Sequence, residues 1–128
     1  MIDPIQSSSA PAPAPFGPYS SGARIANVVQ VSEQVGLDPE KGGLAGDTAY
    51  DQTRQALRNV AAILAERGLD YTDVLMLRVF AEAPEVFTDI NRAFEDELAQ
   101  PYPARTTLFA GLPPGILVEI DALAIIAN

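Results

Sequence analysis

Histidine and cysteine are both absent from this 128-residue chain. Without them there is no Ser-His or Cys-His nucleophile pair, no imidazole general base, and no thiolate or imidazole metal site. Any catalysis therefore runs on Arg, Glu or Asp, Tyr, Ser or Thr, backbone groups and water. Zero cysteine also excludes a disulfide scaffold and is compatible with a reducing compartment. Basic residues are scarce: 8 Lys and Arg stand against 17 Asp and Glu, a formal charge of −9. A nucleic-acid backbone would meet net repulsion, so no nucleic-acid partner is expected. No segment approaches the roughly 20 apolar residues that span a bilayer, and the N-terminus has neither a basic start nor an apolar run of signal-peptide length. The expectation is a cytoplasmic protein with no membrane partner.

What is present is enough for one compact domain, with 48% hydrophobic residues on 128. Residues 1–14 are rich in Ser, Pro and Ala and read as a flexible tail, leaving 15–128 as a single domain. Ile25 to Ser32 carries β-branched residues in near alternation, with Ile25, Val29 and Val31 on one face, and reads as a strand in the second arm of a hairpin. Turn formers from Leu37 to Gly43 precede a helix over 48–67, with Asp47 and Thr48 as N-cap candidates and Gly68 as the stop. Val74 to Phe80 is a short apolar run with Arg78 as its only charge, as expected of a buried strand. Pro84 opens a second helix with an apolar stripe of Val86, Phe87, Ile90, Ala93, Phe94 and Leu98, which places Phe87 and Ile90 in the core. Strands near Arg105–Ala110 and Leu117–Ile126 follow, separated by Gly111–Gly115.

The order β-β-α-β-α-β-β predicts an α+β domain: a mixed sheet with both helices on one face. Along the last strand, Val118, Ile120, Ala122, Ala124 and Ile126 point one way and Leu117, Glu119, Asp121, Leu123 and Ile125 the other. Large apolar residues on both faces leave one face needing cover, and self-association is the simplest cover.

With these elements in place, the chain resembles the RidA/YjgF family of reactive-intermediate deaminases. The resemblance rests on the order and spacing of Gly17-Pro18-Tyr19-Ser20, Val31-Ser32-Glu33-Gln34 with Asp38-Pro39, Gln52 to Asn59, Val79-Phe80, Ile90-Asn91, Pro103-Ala104-Arg105-Thr106-Thr107, Leu112-Pro113 and Val118-Glu119-Ile120-Asp121-Ala122. It implies a chorismate-mutase-like fold, a homotrimer, and active sites in the clefts between subunits. It also implies hydrolysis of 2-imino or 2-enamino acids of the 2-aminoacrylate type to 2-oxo acids and ammonia. No metal and no organic cofactor is indicated.

Carried over, the family's functional positions fall on Tyr19, Ser32, Arg105 and Glu119, and Asn91 matches an asparagine common in the family. The resemblance implies that Arg105 grips the substrate carboxylate and that Glu119 stands near the attacking water. A guanidinium suits the first role because its planar fork of donors matches a carboxylate. The plainer alternative is an ion pair of Arg105 with Glu119 or Asp121. Glu119 has three open roles: proton carrier, water orienter, or structural partner. Tyr19 could donate its phenol to the substrate or wall the pocket, and Ser32 could hydrogen-bond substrate or water. Asn91 could equally make a helix-surface hydrogen bond.

Two positions depart from the family's pattern, which has glycine at Glu33 and proline at Gly36. If the strand is regular, Glu33 points away from Ser32; if it enters the pocket, it adds a second acid/base group and a negative charge. The alternatives to the deaminase reading are therefore a pathway-specific enzyme acting on a different intermediate with Glu33 as the altered element, and a ligand-binding trimer without turnover. Net charge and the lack of histidine weigh against the ribonuclease activity sometimes attributed to the family.

Overall fold

The computed structural model describes residues 1–6 and 12–128. Six strands, β1 (Asp3–Ile5), β2 (Gly22–Ile25), β3 (Val28–Val35), β4 (Val74–Ala81), β5 (Ala104–Phe109) and β6 (Val118–Ile125), form one sheet in the order β1-β2-β3-β6-β4-β5. Only β4 and β5 run parallel. The other neighbouring pairs are antiparallel. Helix α1 (Ala49–Ala65) joins β3 to β4, and α2 (Phe87–Glu97) makes the crossover that a parallel pair requires. This is the α+β class with a mixed sheet.

Local chemistry sets the helix ends. The Thr48 hydroxyl accepts the Asp51 N–H at 3.1 Å and starts α1. Gly68, at φ 70°, lets the chain reverse so that the Leu69 N–H reaches the Leu64 carbonyl at 3.1 Å. Pro84 opens a 3-10 turn that leads into α2.

Two expectations about the N-terminal part need correction. Asp3–Ile5 is not a loose tail: it pairs with β2, and Ile5 is 1% exposed. Arg67 clamps it, donating to both Asp3 carboxylate oxygens at 3.1 and 3.2 Å and to the Pro4 carbonyl at 3.1 Å. An edge strand tolerates Pro4, which has no N–H to offer. Residues 7–11 of that expected tail lie outside the described residues. Ile25–Ser32 is also not one strand. The chain turns at Ala26-Asn27, with Ala26 at φ 54°, so that Ile25 pairs with Val28. The turn shifts the phase of the alternation, so Ile25 lies with Val28 on the open face while Val29 and Val31 are buried, and Ile25 does not share their face as expected; without glycine or proline at the turn, the sequence carries no strong mark of it.

The core lies between the helices and one face of the sheet. Val29, Val31, Leu77, Val79, Ile120 and Ala122 meet Leu57, Val60, Ile63 and Leu64 of α1 and Ile90 of α2, each at most 1% exposed. Two buried amides on α1 then pin the loops that flank the site strands. Gln52 donates to the Gly46 and Gly115 carbonyls at 3.0 Å and accepts the Leu117 N–H at 2.9 Å. Asn59 donates to the carbonyls of Val35 and Leu37 at 3.0 and 2.9 Å. Gly36 lets α1 come this close: a Cβ there would lie 2.6 Å from Gln52 Cα.

The opposite face of the sheet carries open apolar residues beside the Arg78–Asp121 ion pair. Cross-strand pairs Ile25–Val28, Phe80–Leu108 and Met76–Leu123 lie on it. Ile25, Leu108 and Val28 are 54%, 47% and 40% exposed.

Candidate active site

Arg105 leaves β5 on the helix-facing side, opposite Leu77. Its Nη2 donates to Asn91 Oδ1 at 2.7 Å, and its guanidinium carbon lies 4.8 Å from the Phe94 ring centre and 5.5 Å from that of Phe87. The group is half-buried, and burial alone lowers its pKa from the ordinary value. Among the described residues no carboxylate forms an ion pair with it, whereas Arg54, Arg58, Arg67, Arg78 and Arg92 each have one. It stands in the wall of a cavity of about 320 Å³ shared with Leu77, Phe94, Leu98 and Tyr102, with Asn91 and Glu95 as the other polar side chains. A half-buried guanidinium with no ion pair, facing a cavity whose lining has Glu95 as its acidic group, has donors that can meet an anion.

Glu119 occupies the other face of the sheet, where it pairs across β4 with Phe80 and across β3 with Val35. Burial raises its pKa first, and the nearby Glu33 carboxylate raises it further. Asp121, two residues on, is 3% exposed and belongs to Arg78, whose Nε lies 3.0 and 3.1 Å from its two oxygens. The ion pair of Arg105 with Glu119 or Asp121 is therefore not formed. Arg78 takes that place, and its signal was the single charge in an otherwise apolar strand.

Ser32 and Glu33 sit at a register shift in β3 between Val31 and Gln34, so both stand opposite Asp121. The regular strand that would turn Glu33 away is thus interrupted by a bulge. Downstream of the shift, Glu33 and Val35 share the face that carries Glu119. Ser32 Oγ donates to the Ser20 carbonyl at 2.8 Å. Glu33 lines a shallow groove with Phe16, Tyr19 and Gln34. The Tyr19 hydroxyl accepts the Phe16 N–H at 3.1 Å, and its ring is 46% exposed.

The chain thus carries two separate clusters. Arg105 and Asn91 lie between β5 and α2; Tyr19, Ser32, Glu33 and Glu119 gather around β3 and β6. Phe87, expected in the core, is 38% exposed and stands over the guanidinium, while Ile90 is fully buried as its place in the stripe requires. Phe94 and Tyr102 escaped the sequence reading as site residues. Phe94 looks like any core position of a helix stripe, and Tyr102 reads only as part of a turn between prolines. Among the described residues no three acidic side chains gather into a set that could hold a metal ion. None of the helices described is long and apolar enough to cross a membrane.

Comparison with known proteins bears on the sequence and the fold. The family model described as Endoribonuclease L-PSP matches residues 9–126. The human 2-iminobutanoate/2-iminopropanoate deaminase is 34% identical over 119 residues, covering 92% of this chain and 87% of the relative. The crystal structure of RidA from an Antarctic Psychrobacter superposes with a TM-score of 0.89 at 34% identity, over 97% of this chain and 99% of that one. Escherichia coli TdcF, solved with bound serine, gives 0.86 at 30% identity, over 98% and 99%. On sequence, topology and fold alike, the chain belongs to the Endoribonuclease L-PSP family, that of the RidA and YjgF proteins.

Proposed function

We propose that this protein hydrolyses 2-imino acids to 2-oxo acids and ammonia at a site built from two copies of the chain. The observation that carries the reading is the unpaired, half-buried guanidinium of Arg105, oriented by Asn91 and two aromatic rings at a cavity. The activity named for the human relative supports the reaction class.

The chemistry follows from the two clusters. Arg105 holds the substrate carboxylate and so fixes the position of the adjacent C=N carbon. That carbon is electrophilic, and water adds to it. Glu119 takes a proton from the water as the new C–O bond forms, while the nitrogen gains one and becomes an amine. A proton returned to nitrogen lets the C–N bond break with its electron pair leaving on ammonia, and loss of the hydroxyl proton leaves the 2-oxo acid. A carboxyl group whose pKa is raised by burial exchanges protons closer to neutral pH than a free glutamate does.

Arg105 and Glu119 project from opposite faces of one sheet, so a site using both takes them from different copies. The open apolar face, with Ile25, Val28 and Leu108 exposed, gives those copies a reason to associate. A homotrimer with one site per interface is the assembly this reading calls for.

The test generates 2-imino acids in place with an amino-acid oxidase, traps them with semicarbazide, and follows semicarbazone formation. The protein is expected to suppress the signal, and Arg105→Ala is expected to abolish the suppression while light scattering shows an unchanged assembly. A folded, assembled wild-type protein that suppresses nothing would overturn the proposal.

A further inference from the structure

The face that carries Glu119 holds more negative charge than its ion pairs use. Four charged side chains stand there: Glu33 from β3, Arg78 from β4, and Glu119 and Asp121 from β6. Arg78 and Asp121 neutralise one another through three hydrogen bonds. Glu33 and Glu119 remain. Glu33 is exposed, lines the groove beside Tyr19, and has no hydrogen bond or ion pair among the described residues. Its charge is felt at both Arg78 and Glu119. A carboxylate tied to nothing, next to the group assigned the proton work, has no structural duty that would explain it.

We propose that Glu33 sets the charge preference of the site, favouring 2-imino acids with a basic side chain and rejecting those with a second carboxylate. The inference rests on the imine-hydrolase reading and adds the substrate class to it. The carboxylate common to all these substrates is held by Arg105 from the opposite face of a neighbouring copy, so it does not meet Glu33. Any charge further along the side chain is free to do so. Glu33 is a diagonal cross-strand neighbour of Glu119, a spacing of about 7–8 Å, and at that range one charge changes affinity by about ten-fold between water-like and protein-surface screening. The Arg105 cavity is lined chiefly by Leu77, Phe94, Leu98 and Tyr102, and whatever its one carboxylate, Glu95, adds to the preference is left unchanged by Glu33→Gln.

The experiment compares three imino acids made in place by matched oxidases, from arginine, leucine and aspartate, in the semicarbazide assay. The readout is the protein concentration that halves the signal. The wild type is expected to act best on the arginine-derived imine and worst on the aspartate-derived one. Glu33→Gln is expected to shrink the ratio between those two by about 100-fold, a factor of ten for each charge, and Glu33→Asp to keep the preference. Equal efficiency on all three, or an unchanged ratio in Glu33→Gln, overturns this inference and leaves the hydrolase reading standing. A protein inactive on the leucine-derived imine and on the other two overturns both.

Discussion

Removing the amide that orients Arg105 should cost activity far more than stability. The guanidinium is held by one short hydrogen bond, 2.7 Å to Asn91 Oδ1, and by the faces of Phe87 and Phe94. A hydrogen bond to a charged group is worth about 1.5–3 kcal/mol. The ring contacts, about 0.5–2 kcal/mol each, survive the change and keep the side chain near its place. Asn91→Ala is therefore expected to lose about 1.5–2 kcal/mol of substrate binding, which is roughly ten- to thirty-fold in kcat/KM. Because carboxylate recognition is common to ground state and transition state, the loss should appear in KM rather than kcat. Asn91→Asp separates the explanations further. It puts a carboxylate where the amide oxygen stands, pairs Arg105 internally, and competes with the substrate for the same donors. Activity should fall more than in Asn91→Ala, by about 100-fold or more, while urea denaturation shows stability equal to or above wild type. Imine trapping measures the first quantity and the denaturation midpoint the second. An Asn91→Asp protein with wild-type kcat/KM would refute the assignment of Arg105 as the carboxylate receptor.

Two further outcomes follow from the packing and the charges. Gly36→Ala places a Cβ 2.6 Å from the Cα and carbonyl oxygen of Gln52, in backbone that cannot yield cheaply; a loss of about 3 kcal/mol is expected in urea unfolding, and an unchanged midpoint would show that α1 does not sit this close. For Glu119, burial and Glu33 raise the folded-state pKa, so the folded chain binds that proton more tightly than the unfolded one. Its contribution to stability then declines as pH rises from the ordinary glutamate value through the raised one, and stays reduced above it. Glu119→Gln should remove this slope and raise stability at pH 7, whereas a pH profile identical to wild type would contradict the assigned environment.

The helices and inner strands were legible because their signals are local. Thr48, Gly68 and Pro84 punctuate the chain, and the stripe Ile90, Ala93, Phe94 repeats at helical spacing. Alternation along β6 separated the buried face of Val118, Ile120, Ala122 and Ala124 from the half-exposed face of Glu119, Leu123 and Ile125, with Asp121 the exception, buried on that second face beside Arg78. What escaped the sequence depends on partners far along the chain. β1 is held by Arg67, more than sixty residues away, and by pairing with β2. The shift at Ser32-Glu33 is a property of how β3 meets β6, and neither strand alone encodes it. The role of Phe87 turned on Arg105 approaching from β5, which diverts a residue that helical periodicity assigns to the core.

The separation of Arg105 from Glu119 explains why the motifs could be read while their cooperation could not. Period-two alternation assigns each residue to a face, and β5 and β6 lie on either side of β4. The registers Arg105–Leu77 and Phe80–Glu119 then put the two groups on opposite faces, because Leu77 and Phe80 are an odd number of residues apart on β4. Shifting the β4–β6 register by one residue would bring both to the same face, but it would also turn Val79 or Ile120 out of the core, where each is fully buried. Shifting β5 against β4 would instead take Arg105 away from Asn91, Phe87 and Phe94, which hold it. The hydrophobic pattern and the contacts of Arg105 together fix the separation within one chain. If Arg105 and Glu119 act on one substrate, association between copies is a condition of the chemistry, and a substitution that opens the apolar face, such as Leu108→Asp, should abolish turnover while leaving both residues in place.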